Sequence, residues 1–359
     1  MGRVTLQTVA DRVGVSRMTV SNAFSRPDQL SAELRERILA AADELGYCGP
    51  DPAARALACG RSGVIGFLLT DSLSYAFTDE VATRFLGAVA AELEPSGVAM
   101  TLLSSPRGTG RVPARDVVLD GAVVYSVDAD SPALDWLRRR DVPLVFVDQV
   151  AEPGVPSVNI DDRAGARAAA EHVLALGHRR VGIITEATSG PYDEVVDVAA
   201  DEAHHVIRER LRGWLEPLQA AGLQPVVVKQ PNNGEEEGRR SAELLLGRAE
   251  PPTALLCMSD LLALGALHAA EARGVRVPTD LSVVGFDDAP LAARTRPALT
   301  TVRQPVDEKA RVAARAVLAA IDAADSPGAG RRASRARHVL LPTELVVRDS
   351  TGPAPTSSR

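Results

Sequence analysis

Residues 5–26, TLQTVADRVGVSRMTVSNAFSR, read as two short helices joined by a tight turn. Leu6, Val9, Ala10 and Val13 recur at helical spacing and lay one apolar stripe along the first helix. Gly14-Val15 supplies the turn, whose valine can plug the junction, and Ser16 is suited to cap the second helix. On that helix Val20 and Phe24 face inward, leaving Arg17, Met18, Ser21 and Asn22 together on the opposite face. A short helix docked by one face and free on the other is the size of element that enters a DNA major groove. Those four side chains are therefore the ones placed to reach base edges.

The stretch 31–46 completes the unit. Ser31 can cap a third helix, Glu33 suits its positive end, Leu34, Ile38, Ala41, Ala42 and Leu45 form its apolar face, and Gly46 ends it. Spacing alone fits any amphipathic three-helix bundle. The order of motifs is more specific. Thr5-Leu6-x-x-Val9-Ala10-x-x-x-Gly14-Val15-Ser16-x-x-Thr19-Val20-Ser21, followed by Ile38 and Leu45-Gly46-Tyr47, resembles the DNA-binding headpiece of the LacI/GalR family of bacterial transcriptional regulators. The resemblance continues to about Asp349. It implies a DNA-facing set of Thr5, Leu6, Ser16, Arg17, Met18, Thr19, Ser21 and Asn22 in the headpiece. Asn22 stands where relatives frequently carry arginine; asparagine bonds adenine best and arginine guanine, so the base preference there is this chain's own.

The chain has 359 residues, 45% hydrophobic and 24% charged, which suits two or three soluble units with a sizeable core. No run approaches the roughly 18 apolar residues of a membrane span. The N-terminus lacks the apolar segment of a secretory signal, so a cytoplasmic protein with no membrane partner is expected. Cys48, Cys59 and Cys257 show neither disulfide pairing nor metal-ligand spacing, and no metal or cofactor is expected. A net charge of −7 argues against indiscriminate coating of nucleic acid, yet the first 26 residues set Arg3, Arg12, Arg17 and Arg26 against Asp11 alone.

Residues 50–61 form a linker in which Asp51 is a plausible cap, Pro52 suits the first helical position and Gly60 is a stop. The helix so predicted has about two turns, short of the roughly 12–15 residues at which an isolated helix is even marginal. It needs outside help to form, at about 1 kcal/mol of backbone entropy per residue, so the geometry of the body can tip it. In the family this hinge helix pairs with its dimer mate in the minor groove, where a leucine wedges between base pairs. The motif match makes that leucine Leu57, with Ala53 at the close approach and Arg55 near phosphates. Tyr47-Cys48-Gly49-Pro50-Asp51 is one residue longer than the family's usual Tyr-x-Pro-Asn and carries Asp for Asn.

From Gly63 onward apolar runs alternate with helical stretches: 64–69, 98–103, 121–125, 143–147, 181–185, 225–228, 254–257 and 281–286. Continuous apolar strands separated by helices imply parallel sheets covered on both faces, here two doubly wound lobes of four strands each. No Gly-x-Gly-x-x-Gly follows a strand and no Walker-type Gly-Lys-Ser/Thr occurs. The pattern is similar to the periplasmic-binding-protein fold that the family carries. That resemblance places a headpiece at 1–49, a hinge at 50–61 and a body at 62–349, the first lobe taking about 62–160 and 290–324 and the second about 161–289 and 335–349. The chain would cross between lobes three times. Residues 350–359 read as a flexible tail without a leucine heptad, so a homodimer is expected.

Parallel α/β lobes present ligand groups at the carboxyl ends of their strands, so a small polar effector, sugar or nucleoside-like, is expected between them. Asp71, Ser72, Tyr75 and Phe77 follow the first strand, with a capping loop of packed aromatics as the alternative, and Tyr125 and Ser126 end the third. Arg210 precedes Gly213-Trp214 in the family's Arg-x-x-Gly-aromatic helix start, where the guanidinium would grip ligand oxygens, unless it is one more solvated arginine of an Arg-rich run. Asp287, in Leu281-Ser-Val-Val-Gly-Phe-Asp-Asp, accepts ligand hydroxyls in relatives and otherwise caps a helix. Gln304 lies in the crossover back to the first lobe, and Ser259 replaces a frequent asparagine. His204-His205, in an acidic insertion, read as a solvated segment. The leading expectation is an effector-responsive repressor that binds operator DNA. The alternatives are a solute-binding protein with an incidental helical bundle and an α/β enzyme, for which no Gly-x-Ser-x-Gly elbow or other catalytic set is present.

Overall fold

The structure, a computed structural model, describes residues 4–49, 51, 54, 56, 57, 60–69, 73–104, 112–187, 192, 193, 195, 196, 204–324 and 337–356. The chain divides into two compact units, residues 1–64 with 118–120, and residues 65–117 with 121–359.

The first unit is helical, with α1 (Leu6–Val13), α2 (Arg17–Ser25) and α3 (Ala32–Glu44). Thr5 and Thr8 cap α1 reciprocally, and Gly14 ends it at φ +79°, a left-handed conformation in which a Cβ would be strained. Ser16 and Ser31 cap α2 and α3 as their positions predict. Val9, Ala10, Val20, Ala23, Ile38 and Ala42 make the core, ringed by Leu6, Val13, Val15, Phe24, Leu34, Leu45 and Tyr47. Phe24 meets Tyr47 edge to face, centroids 5.7 Å apart. In the linker Ala54, Ala56 and Leu57 are helical and Asp51 Oδ1 accepts the Ala54 N–H at 3.4 Å.

The second unit is built on two sheets. The first contains β1 (Val64–Leu69), β2 (Ala99–Ser104), β3 (Gly121–Tyr125), β4 (Leu144–Val147), β5 (Ser157–Ile160) and β12 (His338–Leu341), in the order β12-β5-β4-β3-β1-β2. The second contains β6 (Val181–Glu186), β7 (Val195–Val196), β8 (Val226–Gln230), β9 (Ala254–Cys257), β10 (Ser282–Asp287), β11 (Thr300–Arg303) and β13 (Glu344–Val346), in the order β13-β11-β10-β9-β6-β8-β7. The inner pairings are parallel, and β7 and β13 join antiparallel at the two edges. Helices cover these sheets: α4 (Leu73–Thr78), α5 (Glu80–Leu93), α6 (Pro132–Arg139), α7 (Asp162–Ala175), α8 (His205–Ala220), α9 (Glu235–Leu246), α10 (Asp260–Ala272) and α11 (Val306–Ala324). The central strands are buried along their length, which is why they read as unbroken apolar runs. On the second sheet α7 pairs with α8 and α9 with α10, while α11 packs on α5 and the first sheet. A Cβ at Gly213 of α8 would fall on the Arg163 carbonyl oxygen of α7, so the closeness of that pair depends on glycine.

Three expectations need correction. The sheets hold six and seven strands among the described residues, not four each. The lobe boundaries shift: β11 belongs to the second sheet although 290–324 was expected in the first lobe, and β12 to the first although 335–349 was expected in the second. The chain still crosses three times, after β5, between β11 and α11, and between β12 and β13. Nor is 350–359 free from its start. Ser350 is fully buried, its Oγ accepting the Thr300 N–H at 2.8 Å and donating to the Val283 carbonyl at 2.6 Å. Gly352 O and Thr351 Oγ1 meet His178 and His172, and the Ala354 N–H reaches the Leu176 carbonyl.

Candidate functional site

The exposed face of α2 carries the DNA-facing set. Arg17 is exposed, Met18 is 70% exposed, and Ser21 and Asn22 are half-buried at its edge. Asn22 Nδ2 donates to Gln29 Oε1 at 3.1 Å, a partner that the spacing argument did not find because Gln29 lies beyond the helix. Ser16 Oγ accepts the Thr19 N–H at 3.1 Å and lies 2.9 Å from Thr19 Oγ1, and Thr5 caps α1, so these hydroxyls hold helix ends. Leu6, expected in the same set, packs against the headpiece core, because it lies on the buried stripe of α1. Leu57 is 88% exposed, an apolar side chain with nothing yet to pack on. Ala53 and Arg55 lie outside the described residues, as do Asp71, Ser72 and the side chain of Tyr75.

The body concentrates its buried charge where the sheets' carboxyl ends face one another. Arg210, in the second turn of α8, is buried; its Nε donates to Asp162 Oδ1 at 2.8 Å and its Nη1 to the Met258 carbonyl at 2.5 Å. Its Nη2 stands 3.5 Å from Asp287 Oδ1, and the guanidinium lies 3.5 Å above the Phe286 ring. Asp287, at φ +115°, ends β10 and accepts from Gln304 Nε2 at 2.7 Å. Gln304 Oε1 in turn accepts from Lys309 Nζ at 2.9 Å, and Lys309 pairs with Asp148 just past β4. Asp162, Arg210, Asp287, Gln304, Lys309 and Asp148 thus form one polar chain from the second sheet to the first. Tyr125 borders it, its ring 5.5 Å from Lys309 Nζ and stacked on Phe85. Ser126 Oγ lies 3.1 Å from His204 Nε2, which brings His204 half-buried onto the first sheet instead of into solvent as expected.

Burial dominates the acid–base character here. It raises Asp287 to about 7, opposed by Arg210 and reinforced by Asp79, and raises Asp162 to about 6, again opposed by Arg210. Burial and the nearby Asp148 push the Tyr125 phenol well above its ordinary range. Asp148 Oδ1, Asp162 Oδ2, His204 Nδ1 and the Trp214 indole nitrogen are buried with no hydrogen-bond partner. Buried polar atoms are normally paired, so these four await a group that fits them.

Of the expected effector contacts, the structure brings together Tyr125, Arg210, Asp287 and Gln304, with Ser126 beside His204. Ser259 caps α10 through the Leu262 N–H and bonds Asn233, so its hydroxyl has local work. Phe77, on α4, is two-thirds exposed and does not join the buried cluster (66%). Asp148 was missed, though it follows β4 just as Ser126 follows β3 and the strand-end rule applies equally. Lys309 and Asp162 were missed because each opens an amphipathic helix where a charge reads as solvated. A surface pocket of about 400 Å³ is lined by Leu264, Leu267, His268 and Arg294 among others, none of them in this chain of charges.

With this geometry in hand, comparison with known proteins is informative. The model for bacterial regulatory proteins of the lacI family matches residues 5–49, and that for a periplasmic binding protein-like domain matches residues 170–351. An HTH-type transcriptional regulator of Mycolicibacterium smegmatis is 41% identical over 325 residues, covering 86% of this chain and 88% of its own. Among solved structures, the lac repressor dimer bound to operator and the anti-inducer ONPF superposes with a TM-score of 0.77 at 26% identity, over 98% of this chain and 100% of that one. A complex of the regulator CelR with cellobiose gives 0.67 at 28% identity, over 97% and 100%. No helix among the described residues is long and apolar enough to cross a membrane. The likeness takes in both the helices that face DNA and the two-sheet body behind them, and the protein belongs to the LacI family of bacterial DNA-binding transcriptional regulators.

Proposed function

We propose that this chain is a dimeric repressor that reads a pseudo-palindromic operator and adjusts its grip when a small polar compound binds between the two sheets. The observation that carries the reading is the buried chain from Asp162 through Arg210, Asp287, Gln304 and Lys309 to Asp148, which joins the lobes through side chains that a ligand can rearrange. The operator and anti-inducer of the lac repressor structure and the cellobiose of the CelR complex support it by analogy. Arg17, Met18, Ser21 and Asn22 read each half-site, while Leu57 opens the central step and bends the duplex.

The test is selection of duplexes from random DNA, followed by salt-controlled titration of the best sequence with and without small molecules. One duplex should be preferred over random competitor, and at least one compound should change its affinity. Leu57→Ala should weaken that affinity by a few kcal/mol through loss of the wedge while compound binding persists, since about that much is recovered per unstacked step. Unaltered affinity would remove Leu57 from the groove.

A further inference from the structure

Lys309 is fully buried in the first turn of α11, an unusual place for an ammonium group. An apolar side chain of similar length would fill the same volume without an ion to strip of water, so the charge needs a reason. Its contacts suggest one. An ammonium can only donate, so Gln304 must turn its oxygen toward Lys309 and its NH2 toward Asp287, which the 2.9 Å and 2.7 Å contacts satisfy. Lys309 also pairs with Asp148, leaving Asp148 Oδ1 bare.

The charges around the cleft are Asp148, Asp162 and Asp287 against Arg210 and Lys309, and both cations are already held by carboxylates. Asp79 caps α5 at the Ala82 N–H, and Asp260 accepts from Thr301 Oγ1 and the Ala289 N–H. What remains open is a set of acceptors, Asp148 Oδ1, Asp162 Oδ2 and His204 Nδ1, with the single donor of Trp214. Hydroxyl donors satisfy such a set, whereas a phosphate or carboxylate would meet acceptors and find no unpaired cation.

We propose that Lys309 is the specificity-determining residue of the effector cleft: by neutralising Asp148 and orienting the Gln304 amide, it makes the site select neutral polyhydroxy compounds over their amino and phosphorylated counterparts. The proposal rests on the effector reading given above. Without Lys309, Asp148 becomes an unpaired buried carboxylate, and an ammonium on the ligand takes the lysine's place.

The experiment uses the full chain, a duplex obtained by selection, and three sets of compounds: neutral sugars and alditols, amino sugars, and sugar phosphates. Thermal stabilisation and duplex affinity are read for each. The wild type should respond to a neutral compound on the order of tenfold more strongly than to its amino or phosphorylated counterpart. Lys309→Met should reverse the preference toward the amino compound, and Lys309→Arg should retain the neutral one. The double variant Lys309→Met with Asp148→Asn removes both charges; it should fold as stably as the wild type and regain the neutral preference, so loss of fold is separated from loss of selectivity. A wild type that prefers the phosphate, or a Lys309→Met protein with unchanged preference, overturns the proposal. Silence of the wild type toward all three sets overturns the effector reading along with it.

Discussion

Asp287 and Asp162 do more than wait for a ligand, because burial makes both hold protons more tightly in the folded chain than in the unfolded one. An unfolded aspartate titrates near about 3.9, whereas these two are raised to about 7 and about 6. Below the unfolded value both states are protonated and the contribution to stability is fully present. As pH rises through the window between, the unfolded chain gives up its protons first, so the contribution shrinks and is lost above the folded values. Asp287→Asn should therefore flatten the decline of urea midpoints between about pH 4 and pH 7, since an amide has no proton to lose there. A variant whose midpoints fall as steeply as the wild type's would show that Asp287 titrates as an ordinary carboxylate. The same residue illustrates why motif reading succeeded at this scale. Asp287 and Arg210 lie at a strand end and a helix start whose neighbours, Phe286 and Gly213, are themselves diagnostic.

At the scale of elements, the pairing of α7 with α8 governs where the Arg210 guanidinium sits. Gly213 lies three residues further along α8, where the Arg163 backbone leaves no room for a methyl group. Gly213→Ala should push the helices apart at a cost of about 1–3 kcal/mol, read as a lower denaturation midpoint, and should weaken the response to effector more than the affinity for DNA. Helices and central strands were legible because their patterns are long or unbroken: Leu6 to Val13 repeats at helical spacing, and Ala254–Cys257 is wholly apolar. The strands that escaped are short and mixed. Ser157-Val-Asn-Ile, Thr300-Thr-Val-Arg and His338-Val-Leu-Leu each carry polar groups that pair with chain far away in sequence, and local pattern cannot register such a partner. Lys309 escaped for a related reason, since its carboxylate partner is 161 residues distant and only the fold brings them together.

Across the whole molecule, the segment after β13 acts as a clasp on the second sheet. Ser350→Ala leaves the Thr300 amide and the Val283 carbonyl without their shared hydroxyl in a fully buried place. It should lower stability by about 1–3 kcal/mol in urea unfolding of the full chain, while the headpiece keeps its helical signal. A loss indistinguishable from zero would mean that water replaces the hydroxyl. Contact distance along the chain then sets an order of assembly. The headpiece closes on neighbours within residues 5–47, whereas the first sheet waits for His338 to reach Ser157, 181 positions earlier, and the second waits for Ser350 and Gly352. During translation the reading head is finished long before the body that restrains it, so a premature stop between Gly60 and Ser350 releases a folded head on an incomplete body. Such fragments compete for operators without answering to any metabolite, which makes nonsense alleles of this gene interfering and not merely null.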